Sequence, residues 1–161
     1  MRASQLAVGT AAILALAAPA SRARAQGIVP EARIDAIIAH QSVLQAALGL
    51  DIPISSGMRL ELAAGAGPSF SSHFTARGDA VVHFLLDPRH LMRWSPYAGG
   101  GIGARYYGGG GGGAGAWRAT AILVAGVNAP RWKHAVPFIE AGLGRGFRLG
   151  AGLRRGDTRK P

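Results

Sequence analysis

The chain is 161 residues long, enough for one domain, and carries 18 Lys and Arg against 8 Asp and Glu with no cysteine. The missing cysteines exclude a disulfide-stapled scaffold, a thiolate metal centre and a lipoprotein anchored through an N-terminal Cys. The basic excess points towards anionic partners, yet no compact basic helix with interleaved aromatics occurs, so nucleic acid is not an expected partner.

Residues 1–25 read as a secretory signal. Arg2 supplies the positive start, Leu6–Ala17 the apolar stretch and Ala23-Arg24-Ala25 the small residues of a cleavage site, so Gln26 would begin the mature chain. The apolar stretch falls short of the roughly 20 residues that a membrane-spanning helix needs. The signal holds three arginines and no acid, which leaves a net charge of +7 on the remainder.

Gln26–Glu31 is expected to be an extended leader, and 26–155 a single β domain. Arg33–His40 is the first candidate strand, with Arg33, Asp35, Ile37 and Ala39 on one face. The second is clearer: Leu44, Ala46, Leu48, Leu50, Ile52 and Ile54 alternate with Val43, Gln45, Ala47, Gly49, Asp51 and Pro53. A rival reading joins Glu31–Leu50 into one amphipathic helix, but the alternation and the lack of a helix cap favour strands. Ser55-Ser56-Gly57 reads as a tight turn. Met58–Gly67 then sets Arg59 and Glu61 opposite Met58, Leu60, Leu62 and Ala64, and Pro68–Gly78 reads as a polar loop.

Asp79–Leu86 is the fourth strand, with Asp79, Val81, His83 and Leu85 facing one way, and Asp87-Pro88 ends it. Pro96–Tyr107 and Ala116–Asn128 are two long segments joined by the glycine run Gly108–Gly113. Tyr97, Gly99, Gly101, Gly103 and Arg105 share a face of the fifth strand. The sixth is apolar on both faces, so its orientation stays open. Pro130–His134 is a turn. Ala135–Gly144 and Phe147–Leu153 are the last two strands, joined at Arg145-Gly146, and 156–161 is a charged tail expected to be disordered.

Eight such segments predict an all-β fold: an eight-stranded antiparallel up-and-down barrel, closed so that no edge is left exposed. The polar face of each strand would then turn inward. That places Arg33, Asp35, Asp51, Arg59, Glu61, His83, Arg105, Glu140 and Arg148 in a polar lumen network, with Gln45 beside them.

Signs of catalysis are weak. The GxG runs at Gly99–Gly103 and Gly142–Gly152 open no helix, so they make no phosphate cradle. His40, His73, His83, His90 and His134 lack close paired ligand spacing, and His83 reads as a hydrogen-bonded lumen residue. Ser71-Ser72-His73 are neighbours rather than a triad, and no Gly-x-Ser-x-Gly occurs. Neither an enzyme, nor a cofactor, nor a metal is expected. Trp94, Trp117, Trp132, Tyr97, Tyr106 and Tyr107 lie near strand ends, where aromatic anchors of a membrane interface sit.

The stretches Pro96–Gly103 (PYAGGGIG) and Pro137–Gly144 (PFIEAGLG), with the eight alternating strands, resemble the small bacterial outer-membrane β-barrels, the outer-membrane protein A-type transmembrane domain and its relatives. The resemblance covers roughly Arg33 to Arg155. It implies an integral outer-membrane protein with a structural, adhesive or envelope-related role and no open pore. Its implied partners are outer-membrane lipid or lipopolysaccharide and the outer-membrane assembly machinery, and the implied state is a monomer. The chain departs from the pattern in ending at Lys160-Pro161 rather than on an aromatic. The competing class is a soluble periplasmic lipocalin-like barrel that holds an apolar small molecule. The two differ in which face of the strands is apolar: Leu48, Leu50, Val82, Phe84, Ile122 and Val124 would line a carrier's core but face outward in a membrane barrel.

Overall fold

The computed structural model describes residues 27–40, 42–70, 73–87, 93–108 and 115–155. The expected signal at 1–25, the tail at 156–161, most of the glycine run, and Ser71, Ser72 and His90 lie outside the described residues. The described residues form eight strands: β1 (Val29–Ile38), β2 (Val43–Ser55), β3 (Met58–Pro68), β4 (Phe74–Leu85), β5 (Ser95–Tyr107), β6 (Ala116–Asn128), β7 (Ala135–Gly144) and β8 (Gly146–Arg155). Each pairs antiparallel with its sequence neighbours, and β1 pairs with β8 to close the barrel. The helical alternative for Glu31–Leu50 is thereby overturned, because two strands with seven paired positions within that stretch occupy it.

Closure follows from the period-two pattern. Along β1 the buried residues are Glu31, Arg33, Asp35 and Ile37, while Ala32, Ile34, Ala36 and Ile38 are exposed. A soluble barrel inverts this arrangement. Here Ile34, Leu44, Leu62, Phe84, Ile102, Leu123, Ile139, Leu143 and Leu149 face outward, and all seven acidic residues among those described are buried. Of the six positions that separate the two classes, Leu48, Leu50, Val82 and Phe84 lie on the outer face. Ile122 and Val124 turn inward and pack with Val81 into a small apolar cluster. That settles the open strand: β6 puts Trp117 and Leu123 outside.

Two boundaries differ from the sequence reading. Pro68–Gly78 is not one polar loop. β3 runs to Pro68 and β4 begins at Phe74, with Arg77 paired to Gly65 and Thr75 to Gly67. The alternation continues through the polar residues, whose inward members Thr75 and Arg77 satisfy the lumen rather than water. The leader is also shorter than expected, since β1 starts at Val29 and buries Glu31. Pro30 fits because it lies at the first positions of its strand, and Pro53 because the β2–β3 register shifts beside it.

Strand direction sorts the connections. One end of the barrel carries Val29 and Arg155, the Ser56-Gly57 turn, the β4–β5 connection and the β6–β7 connection; it is called the terminal end below. The far end carries the β1–β2, β3–β4 and β5–β6 connections and the turn at Arg145.

Candidate functional site: the lumen network

The inward faces of β1, β4, β7 and β8 supply a ring of alternating charges. Arg33 Nε donates to Asp35 Oδ2 at 3.1 Å. Arg77 bonds Asp35 through Nη2 and Asp79 Oδ2 through Nη1, the latter at 3.0 Å. Arg148 donates to the same Asp79 oxygen at 3.0 Å and to Glu140 Oε1 at 2.5 Å. Arg33 Nη2 lies 3.5 Å from Glu140 Oε1 and so closes the ring. Arg33 Nη1 also donates to Glu61 Oε1 at 2.8 Å, which ties β3 to it.

A second group sits towards the terminal end and is centred on Arg154. Its Nε donates to Glu31 Oε2 at 2.9 Å, Nη1 to Asn128 Oδ1 at 2.7 Å and Nη2 to Glu61 Oε2 at 3.4 Å. The guanidinium carbon lies 4.1 Å from the Phe138 ring centroid and 5.1 Å from that of Tyr97. Arg59, partly open to solvent, donates to Asp51 Oδ2 at 3.1 Å. Towards the far end Gln45 donates to Thr75 Oγ1 at 2.9 Å, and Thr75 donates to the Gly67 carbonyl at 3.0 Å. The buried charges thus meet opposite charges or hydrogen-bond partners across the bore, as charges removed from bulk water must.

Glycine is what leaves room. A Cβ on Gly103 would lie 2.5 Å from Asp79 Oδ1, and one on Gly150 would lie 2.3 Å from Asp35 Oδ1. The ring and the small residues around it are one packing solution.

Arg33, Asp35, Asp51, Arg59, Glu61, His83, Glu140 and Arg148 all lie within this interior. Arg105 stands apart: it is half-buried at the far mouth, where it donates to the Tyr107 hydroxyl at 3.2 Å, and it forms no ion pair with the ring among the described residues. Four members were not on the expected roll: Glu31, Arg77, Asp79 and Arg154. Asp79 and Arg154 share parity with His83 and Arg148, so the alternation already marked them. Tyr97 is likewise no interface anchor. It is buried in the lumen and donates to Glu140 Oε2 at 3.1 Å. Trp94, Trp117 and Trp132 are exposed near the ends of the wall.

His83 is buried beside Tyr97, with ring centroids 4.9 Å apart. Its Nε2 faces Glu61 Oε2 at 3.6 Å and Glu140 Oε2 at 3.7 Å, too far for a hydrogen bond to either. A groove of about 1080 Å³ is lined mainly by apolar residues, including Leu48, Leu62, Ala64, Ala80, Ile102 and Ala121, with Glu31, Asp79 and Thr120 also on its lining. Both carboxylates on that lining are engaged in the bore, Glu31 with Arg154 and Asp79 with Arg77 and Arg148.

No protein-family model matches the chain, and no curated protein matches it. Solved structures do. The N-terminal β-barrel domain of Pseudomonas aeruginosa OprF superposes with a TM-score of 0.60 at 14% identity, covering 80% of this chain and 95% of that one. Neisserial surface protein A (NspA) gives 0.59 at 11% identity, covering 80% and 94%. A barrel from the de novo design of transmembrane β-barrels gives 0.50 at 13% identity, covering 80% and 92%. At these identities the likeness is one of fold, and on that level the resemblance read from the glycine-ended strands holds.

Proposed function

We propose that the chain is an integral outer-membrane β-barrel with a structural, adhesive or envelope-related role, closed along its bore and without catalytic activity. The observation that carries this reading is the inversion of polarity between wall and lumen. Strands of 10–13 residues present an outward apolar surface that includes Ile102, Leu123 and Leu143, while Arg33, Glu61 and Glu140 are buried inside. Strands of that length, tilted as in a barrel, cover the roughly 25 Å apolar band of an outer membrane. Water gives no reason to expose that much aliphatic surface.

The ends of the wall support the same reading. At the terminal end Arg93, Arg131, Lys133 and Arg155 are exposed beside Trp94 and Trp132; at the far end Arg118 and Arg145 are exposed, with Trp117 packed on Tyr106. The described carboxylates are buried, no ion pair engages these exposed cations among the described residues, and at the barrel ends they suit the phosphates of outer-membrane lipid or lipopolysaccharide. The membrane folds named above add support on fold alone. The lipocalin-like alternative has the weaker case, because a carrier for apolar molecules needs an apolar bore and this one is ionic.

Cell fractionation followed by gel mobility of unboiled and boiled samples tests the assignment. A heat-modifiable band in the outer-membrane fraction is expected; a soluble periplasmic band would overturn it. In planar bilayers the purified barrel should show no sustained conductance, because the charge ring crosses the bore. Stable, uniform channel steps would sink the closed-bore reading while leaving the location standing.

A further inference from the structure

The lumen contains one arrangement that a plug of ion pairs does not need. Glu61 on β3, His83 on β4 and Glu140 on β7 each offer one ligand atom, all three within 4.8 Å of one another, and all three residues are buried. His83 is 1% exposed, and its Nε2 has no hydrogen-bond partner among the described residues. The other oxygen of each carboxylate is already held: Arg33 donates to Glu61 Oε1 and Arg148 to Glu140 Oε1. Both Oε2 atoms lie beside the imidazole, 3.6 and 3.7 Å from Nε2. Tyr97 donates to Glu140 Oε2, and Arg154 reaches Glu61 Oε2 at 3.4 Å.

We propose that Glu61, His83 and Glu140 form a divalent metal site of the zinc class inside the barrel. The spacings support an ion better than a hydrogen bond. Ligands about 2.0–2.2 Å from a tetrahedral ion lie roughly 3.4 Å from each other, and Nε2 stands 3.6 and 3.7 Å from the two oxygens. A neutral imidazole with two carboxylates is a zinc donor set with a fourth position open; calcium and magnesium prefer oxygen alone. The two arginines act as the outer partners that orient metal-binding carboxylates. Charge agrees. Glu31, Asp35, Asp51, Glu61, Asp79 and Glu140 face Arg33, Arg59, Arg77, Arg148 and Arg154, so the network is one positive charge short. A divalent ion bearing one hydroxide supplies that charge. The ligands come from three strands, 22 and 57 residues apart in sequence, so no ligand spacing could announce the site. The proposal depends on the closed barrel and not on its membrane assignment.

The test is to refold the detergent-purified barrel with Zn²⁺ or Co²⁺, desalt it and measure retained metal. One ion per folded chain is expected, and the Co²⁺ form should show ligand-field bands of a four- or five-coordinate nitrogen and oxygen site. His83→Gln should abolish retention. Tyr97→Phe, which removes the hydroxyl that donates to Glu140 and keeps the ring, should weaken binding by about 10–100-fold. His134→Gln, at an exposed turn position, should change nothing. Heat-modifiable mobility reports folding of each variant. If His83→Gln fails to fold, the Co²⁺ spectrum of the unaltered barrel still decides. A folded barrel that retains no ion overturns the proposal, as does equal retention by folded His83→Gln. So does an imidazolium signal in place of a metal-bound one by nitrogen NMR, since a protonated His83 would close the same charge gap.

Discussion

Arg33 is fully buried among four carboxylates, those of Glu31, Asp35, Glu61 and Glu140. Its contribution is best described by what its loss exposes. Arg33→Met would leave those buried acids without the cation they share, and removing one partner of a buried pair costs about 3–5 kcal/mol. Urea unfolding of vesicle-embedded protein should show a loss of that size. Adding Glu61→Gln to Arg33→Met should cost less than the sum of the two single changes, because the second removes an acid that the first has stranded. Strict additivity would mean that Arg33 and Glu61 do not interact in the folded barrel, contrary to their 2.8 Å contact.

Neighbouring glycines on β5 separate wall from bore at the level of a single strand. Gly101 points inward, where an added Cβ would lie 2.0 Å from the Ala80 carbonyl oxygen of β4; Gly100 points outward, where it would meet nothing closer than Leu123 Cδ2 at 3.4 Å. Gly101→Ala should therefore destabilise by about 1–3 kcal/mol through overpacking against backbone that cannot yield. Gly100→Ala should stay within about 0.5 kcal/mol of the parent, as surface changes do. Unfolding midpoints of the two variants check this, and equal effects would contradict the facing assigned to β5. The same strand shows how much was legible. The parity of Tyr97, Gly99, Gly101 and Gly103 gave the bore-facing side directly, and the strand count and closure followed from such parities. Legibility failed where composition hid the pattern. Thr75 and Arg77 sit in a polar run that looks like loop, because in this barrel polar residues are the interior. β6 failed for the opposite reason: Ile122 and Val124 are apolar on the bore side, and only packing against Val81 distinguishes them from Leu123. The individual ion pairs were out of reach, since Arg77 meets Asp35 across 42 residues and Arg148 meets Asp79 across 69.

At the scale of the molecule the question is what solvent the wall was built for, and position along the wall answers it. Ile102 lies well inside β5 and is 71% exposed; Ile54 lies one residue from the end of β2 and is 56% exposed. In water these two sites are alike. An arginine at either would be solvated and cost little, within about 0.5 kcal/mol. In a bilayer they differ sharply. An arginine on the lipid face costs about 2–4 kcal/mol near the midplane and about 0–1 near the interface. Ile102→Arg should therefore lower folding free energy in lipid vesicles several-fold more than Ile54→Arg, and the difference should shrink in detergent, where the head-group layer can deform around the charge. Equal and small costs in vesicles would mean that the apolar belt does not face lipid, and the membrane reading would fall even if the charge ring inside proved intact.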